Sequence, residues 1–222
     1  MTIFENSKIK LEKFTSGSLS NNSYLISSKK DGNSVVIDVP NKPMELINKI
    51  PRNRFDKSEN IDKIKILITH GHYDHIEGLD IFAERLGLLD LYIGYVDANY
   101  LNYLGKVTRL RNQAYIENSS IRLKLIYTPG HTEGSVCYFL DAVDQKFLFS
   151  GDTLFPGGPG KTIDSRNFSK ILESIKNKLY ILPKETIILP GHGEYITLED
   201  SINEFNHFQY KNNIFGDVSW IN

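Results

Sequence analysis

Residues 68–79 read Ile68-Thr69-His70-Gly71-His72-Tyr73-Asp74-His75-Ile76-Glu77-Gly78-Leu79, and four side chains able to hold a metal, His70, His72, Asp74 and His75, fall inside six positions. The preceding run, Ile64 to Thr69, is apolar and rich in β-branched residues, which predicts a buried strand with the ligands at its carboxyl end. Side chains of an extended segment alternate between faces, so His70 and His72 project to one side while Gly71 leaves the backbone between them uncrowded. Asp74 and His75 follow where the chain should turn into a helix spanning Ile76 to Leu86, and a helix start favours an acidic side chain.

The same arrangement recurs downstream. The apolar run Ile121 to Tyr127 leads into Thr128-Pro129-Gly130-His131-Thr132-Glu133-Gly134. Lys146 to Phe149 leads into Ser150-Gly151-Asp152-Thr153, and Glu185 to Leu189 leads into Pro190-Gly191-His192-Gly193. A strand followed by a ligand type, repeated four times among helical segments, predicts a layered α/β domain whose strand ends gather polar loops along one edge. The candidate metal ligands are therefore His70, His72, Asp74, His75, His131, Asp152 and His192.

Counting sets the stoichiometry. A catalytic zinc takes three protein ligands and keeps a position for water, so five histidines and two aspartates suit two ions better than one. A carboxylate can bridge two cations, and water held between them loses a proton near neutral pH, which makes a hydroxide nucleophile. Two divalent ions are expected, zinc first, with iron or manganese as alternatives. Closed structural zinc sites favour cysteine ligands, whereas histidine and aspartate with an open position favour hydrolysis.

Taken in order, Thr69-His70-Gly71-His72-Tyr73-Asp74-His75, Pro129-Gly130-His131-Thr132-Glu133-Gly134, Ser150-Gly151-Asp152-Thr153 and Pro190-Gly191-His192-Gly193 resemble the metallo-β-lactamase superfamily, and within it the glyoxalase II branch. The likeness runs from about Asn22 to His192 and includes Asn22-Ser23-Tyr24-Leu25-Ile26 and Val36-Ile37-Asp38. It implies a four-layer αββα sandwich. It also implies that His70, His72 and His131 hold one metal, that Asp74, His75 and His192 hold a second, and that Asp152 bridges them. Asp38 resembles an acid that supports the metal loops. The implied reaction is hydroxide attack on a thioester, or a related ester, with Asp74 orienting the hydroxide or accepting its proton. The common β-lactam-hydrolysing relatives carry Cys where Asp152 stands and lack a histidine at the place of His75, which argues against antibiotic hydrolysis. Glyoxalase II enzymes end in a glutathione-holding helical region, but 30 residues follow His192. A single domain spanning 1–222, without that region, is therefore expected. Two other activities share the ligand pattern: a persulfide dioxygenase with one iron on the three-histidine side, and an RNA-processing nuclease.

The Gly-rich segment Phe155-Pro156-Gly157-Gly158-Pro159-Gly160-Lys161-Thr162 ends like a phosphate-binding loop. Such a loop needs glycine five residues before its Gly-Lys pair, and Phe155 stands there. The segment is expected to wall the substrate cleft, with Phe155, Lys161 and Tyr195 as candidate substrate contacts.

Composition points to a plain globular enzyme. With 222 residues, 40% hydrophobic content and a net charge of −1, the chain can bury a sizeable core and shows no electrostatic footprint for nucleic acid or an anionic membrane. It has no signal-like stretch and no run long enough to span a bilayer, so a cytoplasmic location and a small-molecule thioester or ester partner are expected, with homo-oligomerisation left open. The single cysteine, Cys137, lies among Val136, Tyr138, Phe139 and Leu140 and reads as a core residue. His207 reads as an ordinary residue of a terminal helix. Strands are expected through Val39, with turns at Ser16-Gly17-Ser18 and at 29–33. A short helix follows over Pro43 to Ile50, then a polar connection over Pro51 to Asn60. Leu91 to Val96 reads as a strand, Ala98 to Leu104 is ambiguous, and Arg166 to Leu179 has helical apolar spacing.

Overall fold

A computed structural model describes residues 1–51, 63–111, 114–209 and 213–221, so the expected polar connection lies, past Pro51, outside the described residues. Strands β1 (Thr2–Glu5), β2 (Ile9–Ser16), β3 (Asn21–Ser28), β4 (Ser34–Ile37), β5 (Ile64–Leu67), β6 (Asp90–Gly94) and β7 (Val107–Leu110) form one sheet in that order. The second sheet contains β8 (Tyr115–Asn118), β9 (Ile121–Tyr127), β10 (Val136–Asp141) and β11 (Lys146–Gly151). A small hairpin of β12 (Leu154–Phe155) and β13 (Gly158–Pro159) follows, after which β14 (Ile187–Pro190) and β15 (Ile196–Thr197) complete that second sheet on the far side of β11.

Alternation of side chains across these strands builds three apolar layers. Tyr24 and Ile26, Val35 and Ile37, and Leu67 face Leu123, Leu125, Tyr138, Phe147 and Phe149 across the gap between the sheets. The intervening residues Leu25, Val36 and Ile66 turn outward onto Leu46 and Ile47 of α1 (Met44–Lys49) and Phe82, which lies on a later helix. On the second sheet, Cys137, Leu148 and Ile188 turn outward onto Phe168, Ile171, Ile175, Leu179 and Leu198. Helix, sheet, sheet, helix is the resulting order, the four-layer sandwich implied by the resemblance. A strand can serve two layers because its side-chain period is two.

Strand direction collects the loops. From β4 to β7 the pairing is parallel, so these strands end at one edge. In the second sheet β11 and β14 are parallel, and β9 runs the same way because two antiparallel steps separate it from β11. Asp38, His70, His131, Asp152 and His192 each follow the carboxyl end of one of these strands.

The helix expected over Ile76 to Leu86 is instead two pieces. One turn, α2 (Tyr73–Ile76), holds Asp74 and His75, and α3 (Leu79–Leu86) begins after Gly78. Gly78 donates to Val39 O at 2.9 Å, and a Cβ there would stand 2.2 Å from Pro40 O. The backbone is pinned against residues 39–40, so the helix restarts rather than continues. The Arg166 to Leu179 expectation holds with a change of pitch: α4 (Ser165–Ser174) passes into a π-helical turn at Ile175–Leu179. Asp164 caps α4 by accepting the Asn167 N–H at 2.7 Å. Tyr180 follows that turn, and α5 (Leu198–Asn206) ends just before His207, whose ring nitrogen faces Asn203 O at 2.7 Å. The ambiguous segment after β6 opens with a 3₁₀ turn at Asp97–Tyr100. No helix among the described residues is long and apolar enough to cross a membrane.

Cys137 is fully buried, and that burial pushes its thiol up to about 11. At pH 8 only about 0.1% would be thiolate, so a thiol reagent should leave the native protein unmodified and label it stoichiometrically in denaturant. Rapid labelling of native protein would contradict this placement.

Candidate metal centre

The strand ends bring all seven sequence-derived candidates into one cleft. Their inward atoms form three overlapping groups: His70, His72 and His131; His70, His75 and Asp152; and Asp74, His75 and His192, with the ligand atoms of each group within 4.8 Å of one another. Asp152 lies among them. Its Oδ1 is 3.4 Å from His75 Nε2, and its Oδ2 is 3.6 Å from both His131 Nε2 and His192 Nε2.

Hydrogen bonds on the far side of each ring decide which nitrogen points inward. A carbonyl can only accept, so His131 Nδ1 must carry the proton it gives to Lys161 O at 2.8 Å, and His192 Nδ1 the one it gives to Leu19 O at 3.0 Å. His75 Nδ1 likewise faces Asp38 Oδ2 at 2.8 Å. Asp38 also accepts the Thr69 N–H and hydroxyl, both at 2.8 Å, and that hydroxyl oxygen lies 3.1 Å from His70 Nδ1. The outer nitrogens of these four rings are thus occupied and their Nε2 atoms converge, an arrangement typical of metal-binding imidazoles.

Convergence without a cation is costly. His72 Nδ1 lies 3.1 Å from His70 Nε2 and 2.9 Å from His131 Nε2, so a single ring N–H at most serves three nitrogens that face one another. A tetrahedral cation with bonds of about 2.0–2.1 Å would hold such nitrogens about 3.3 Å apart, close to what is found. His75 Nε2 and Asp152 Oδ1 are buried without a hydrogen-bond partner, and an orphaned polar atom of this kind needs compensation. The donor set of imidazoles and carboxylates suits zinc or iron. The residues present therefore fit a metal.

The electrostatics divide the cleft. Burial, reinforced by neighbouring histidines, holds His70 well below the ordinary imidazole range, and burial also lowers His131. Both remain neutral and able to ligate. Burial opposes the charge on His75, but Asp38 and Asp152 outweigh it and raise its pKa well above normal; the hydrogen bond with Asp74 raises His192. Burial would raise Asp74 and Asp152, yet hydrogen bonds from His192 and Asn21 hold Asp74 far below the usual carboxylate range, and the hydrogen bond and charge of His75 lower Asp152. A cation arriving at His75 must replace a proton, so uptake is accompanied by proton release.

Of the substrate candidates, Phe155 places its ring 6.4 Å from that of His192. Lys161 meets the centre through its backbone carbonyl while its side chain is exposed, and Tyr195 is 47% exposed. Two residues escaped the sequence reading. Asn21 is buried at the start of β3 and donates to Asp74 Oδ2 at 2.8 Å. Its neighbour in the resembling segment, Asn22, was the nearest signal. Asp97 is buried between two ligand loops and no motif marks it.

Residues 17–192 match the profile of the Metallo-beta-lactamase superfamily. The chain is 33% identical to a probable metallo-hydrolase of Bacillus subtilis, YqgX, over 176 residues, covering 70% of this chain and 82% of that one. It is 28% identical to a probable hydroxyacylglutathione hydrolase of Schizosaccharomyces pombe, glo2, covering 79% of this chain and 65% of the other. The crystal structure of the BLEG-1 B3 metallo-beta-lactamase superposes with a TM-score of 0.71 at 25% identity, over 87% of this chain and 96% of that one. With the four-layer fold, the converging histidines and the match over most of its length, this chain belongs to the metallo-beta-lactamase superfamily.

Proposed function

We propose that this chain is a metal-dependent hydrolase that cleaves a thioester, of the glyoxalase II type, or a related ester. The observation that carries the reading is the convergence of five imidazoles and two carboxylates into overlapping three-ligand groups, with Asp152 reaching both ends of the set. His70, His72 and His131 would hold one cation, Asp74, His75 and His192 a second, and Asp152 both. Bound there, divalent cations supply a polarised substrate carbonyl and water that ionises near neutral pH.

The chain's own groups then divide the remaining work. Asp74 stays ionised and accepts from Asn21, so its carboxylate is oriented to accept a proton from attacking water. Asp38 fixes His75 and the start of the His70 loop at once. Phe155 supplies an apolar wall beside His192, and the exposed side chains of Tyr195 and Lys161 are the further substrate contacts in this reading. A thiolate departs without strong protonation, which suits a cleft whose titratable groups are committed to one another.

The complete three-histidine group also favours a second reading, an iron-dependent persulfide dioxygenase. One experiment separates them: metal analysis of the purified protein combined with assays on a hydroxyacyl thioester of glutathione and on glutathione persulfide. Two metal equivalents with thioester cleavage and no oxygen uptake are expected. One iron per chain with persulfide-dependent oxygen consumption would overturn the hydrolase reading.

A further inference from the structure

Asp97 stands outside the ligand set, in the 3₁₀ turn after β6, and is 1% exposed. Its Oδ2 accepts the Gly71 N–H at 2.8 Å and the Thr132 hydroxyl at 2.6 Å, while its Oδ1 accepts the Gly134 N–H at 2.9 Å. Gly71 lies between His70 and His72, and Thr132 adjoins His131. One carboxylate thus holds both loops that carry the three-histidine group, and all three donors are uncharged. The fit is close: a Cβ on Gly134 would stand 2.4 Å from Asp97 Oδ1, and a Cβ on Gly71 would stand 3.1 Å from Asp97 Cβ. At Gly134 a side chain would collide with Asp97, and at Gly71 it would be tight.

We propose that Asp97 is a positioning residue that locks the 70–72 loop to the 131–134 loop and thereby sets the geometry of the three-histidine group. Asp38 does the corresponding work for His75 from the other side of the cleft. The two buried carboxylates share the His70 loop, Asp38 through Thr69 and Asp97 through Gly71. Asp97 acts through two backbone segments rather than through a ring N–H, so it governs the spacing between His131 and the His70/His72 pair. This rests on the two-cation reading above.

The test uses the full chain, stripped of metal and titrated with cobalt(II) alone. Asp97→Asn keeps the shape but puts an NH2 donor where one acceptor oxygen stood, so either the Gly134 N–H or the Gly71 N–H loses its acceptor and faces a donor, which loosens the clamp between the loops. We expect one cobalt equivalent to weaken by about 10–100-fold with an altered visible spectrum, the usual scale for loss of an orienting partner, while the other stays within about twofold. The His72→Ala variant, which lacks the same group, assigns the affected equivalent. In metal-free protein the Gly71 or the Gly134 amide, whichever faces the new NH2, should exchange faster in Asp97→Asn, with the Thr69 amide, held by Asp38, unchanged. If Asp97→Asn fails to fold, Thr132→Val removes one of the three donors and should weaken the same equivalent by a smaller factor. Equal weakening of both equivalents, or of neither, overturns the proposal. Wild-type protein that takes up no cobalt overturns the two-cation reading and this one together.

Discussion

Asp152→Ala is expected to release both cations and to lower hydrolytic turnover by about 10³-fold or more, at least 4 kcal/mol of transition-state stabilisation. The reason is geometric. Asp152 Oδ1 faces His75 at 3.4 Å while Oδ2 lies 3.6 Å from His131 and from His192, so its two oxygens reach both ends of the ligand set. Its charge also contributes, with that of Asp38, to the raised proton affinity of His75. Mass spectrometry under non-denaturing conditions, with a turnover assay on the same sample, reads the result. A variant that keeps one tightly held cation would show that Asp152 serves a single ion.

His72→Ala should behave differently. His72 is exposed and its ring packs against the other ligands, so the metal-free fold should change in stability by no more than about 0.5 kcal/mol. Turnover should nevertheless fall by about 10³-fold, because the group with His70 and His131 loses a third of its donors. Asp74, His75 and His192 are untouched, so one cation equivalent should remain. Denaturant unfolding of the stripped protein, metal content and turnover together check this. Retained thioester cleavage would remove His72 from the mechanism, and loss of both equivalents would tie the two groups more closely than their geometry implies.

The ligands were legible because their chemistry is local. His70 and His72 lie two apart on the end of an apolar strand, and a period-two backbone puts them on one side whatever the rest of the chain does. The strand-then-ligand pattern also indicated the layered architecture, since apolar runs that lead into ligand-bearing polar segments recur at β5, β9, β11 and β14. The break at Gly78 was not legible, because it depends on the approach of residues 39–40 from a different strand end. The change to π pitch at the end of the Arg166–Leu179 helix escaped for a different reason: the apolar residues Phe168, Ile171, Ile175 and Leu179 are buried either way. Asp97 and Asn21 were invisible because each contacts residues from 26 to 53 positions away in the chain.

By itself the sequence determined the residue types that can hold a metal, their attachment to strand ends and the class of fold those strands build. Tertiary structure decided which nitrogen of each imidazole faces inward, through carbonyls such as Lys161 and Leu19 that only folding brings near. It also decided which buried carboxylates hold the loops together. The division follows from range: periodicity and ligand spacing act between neighbours along the chain, whereas a hydrogen bond's donor and acceptor are chosen by proximity in space.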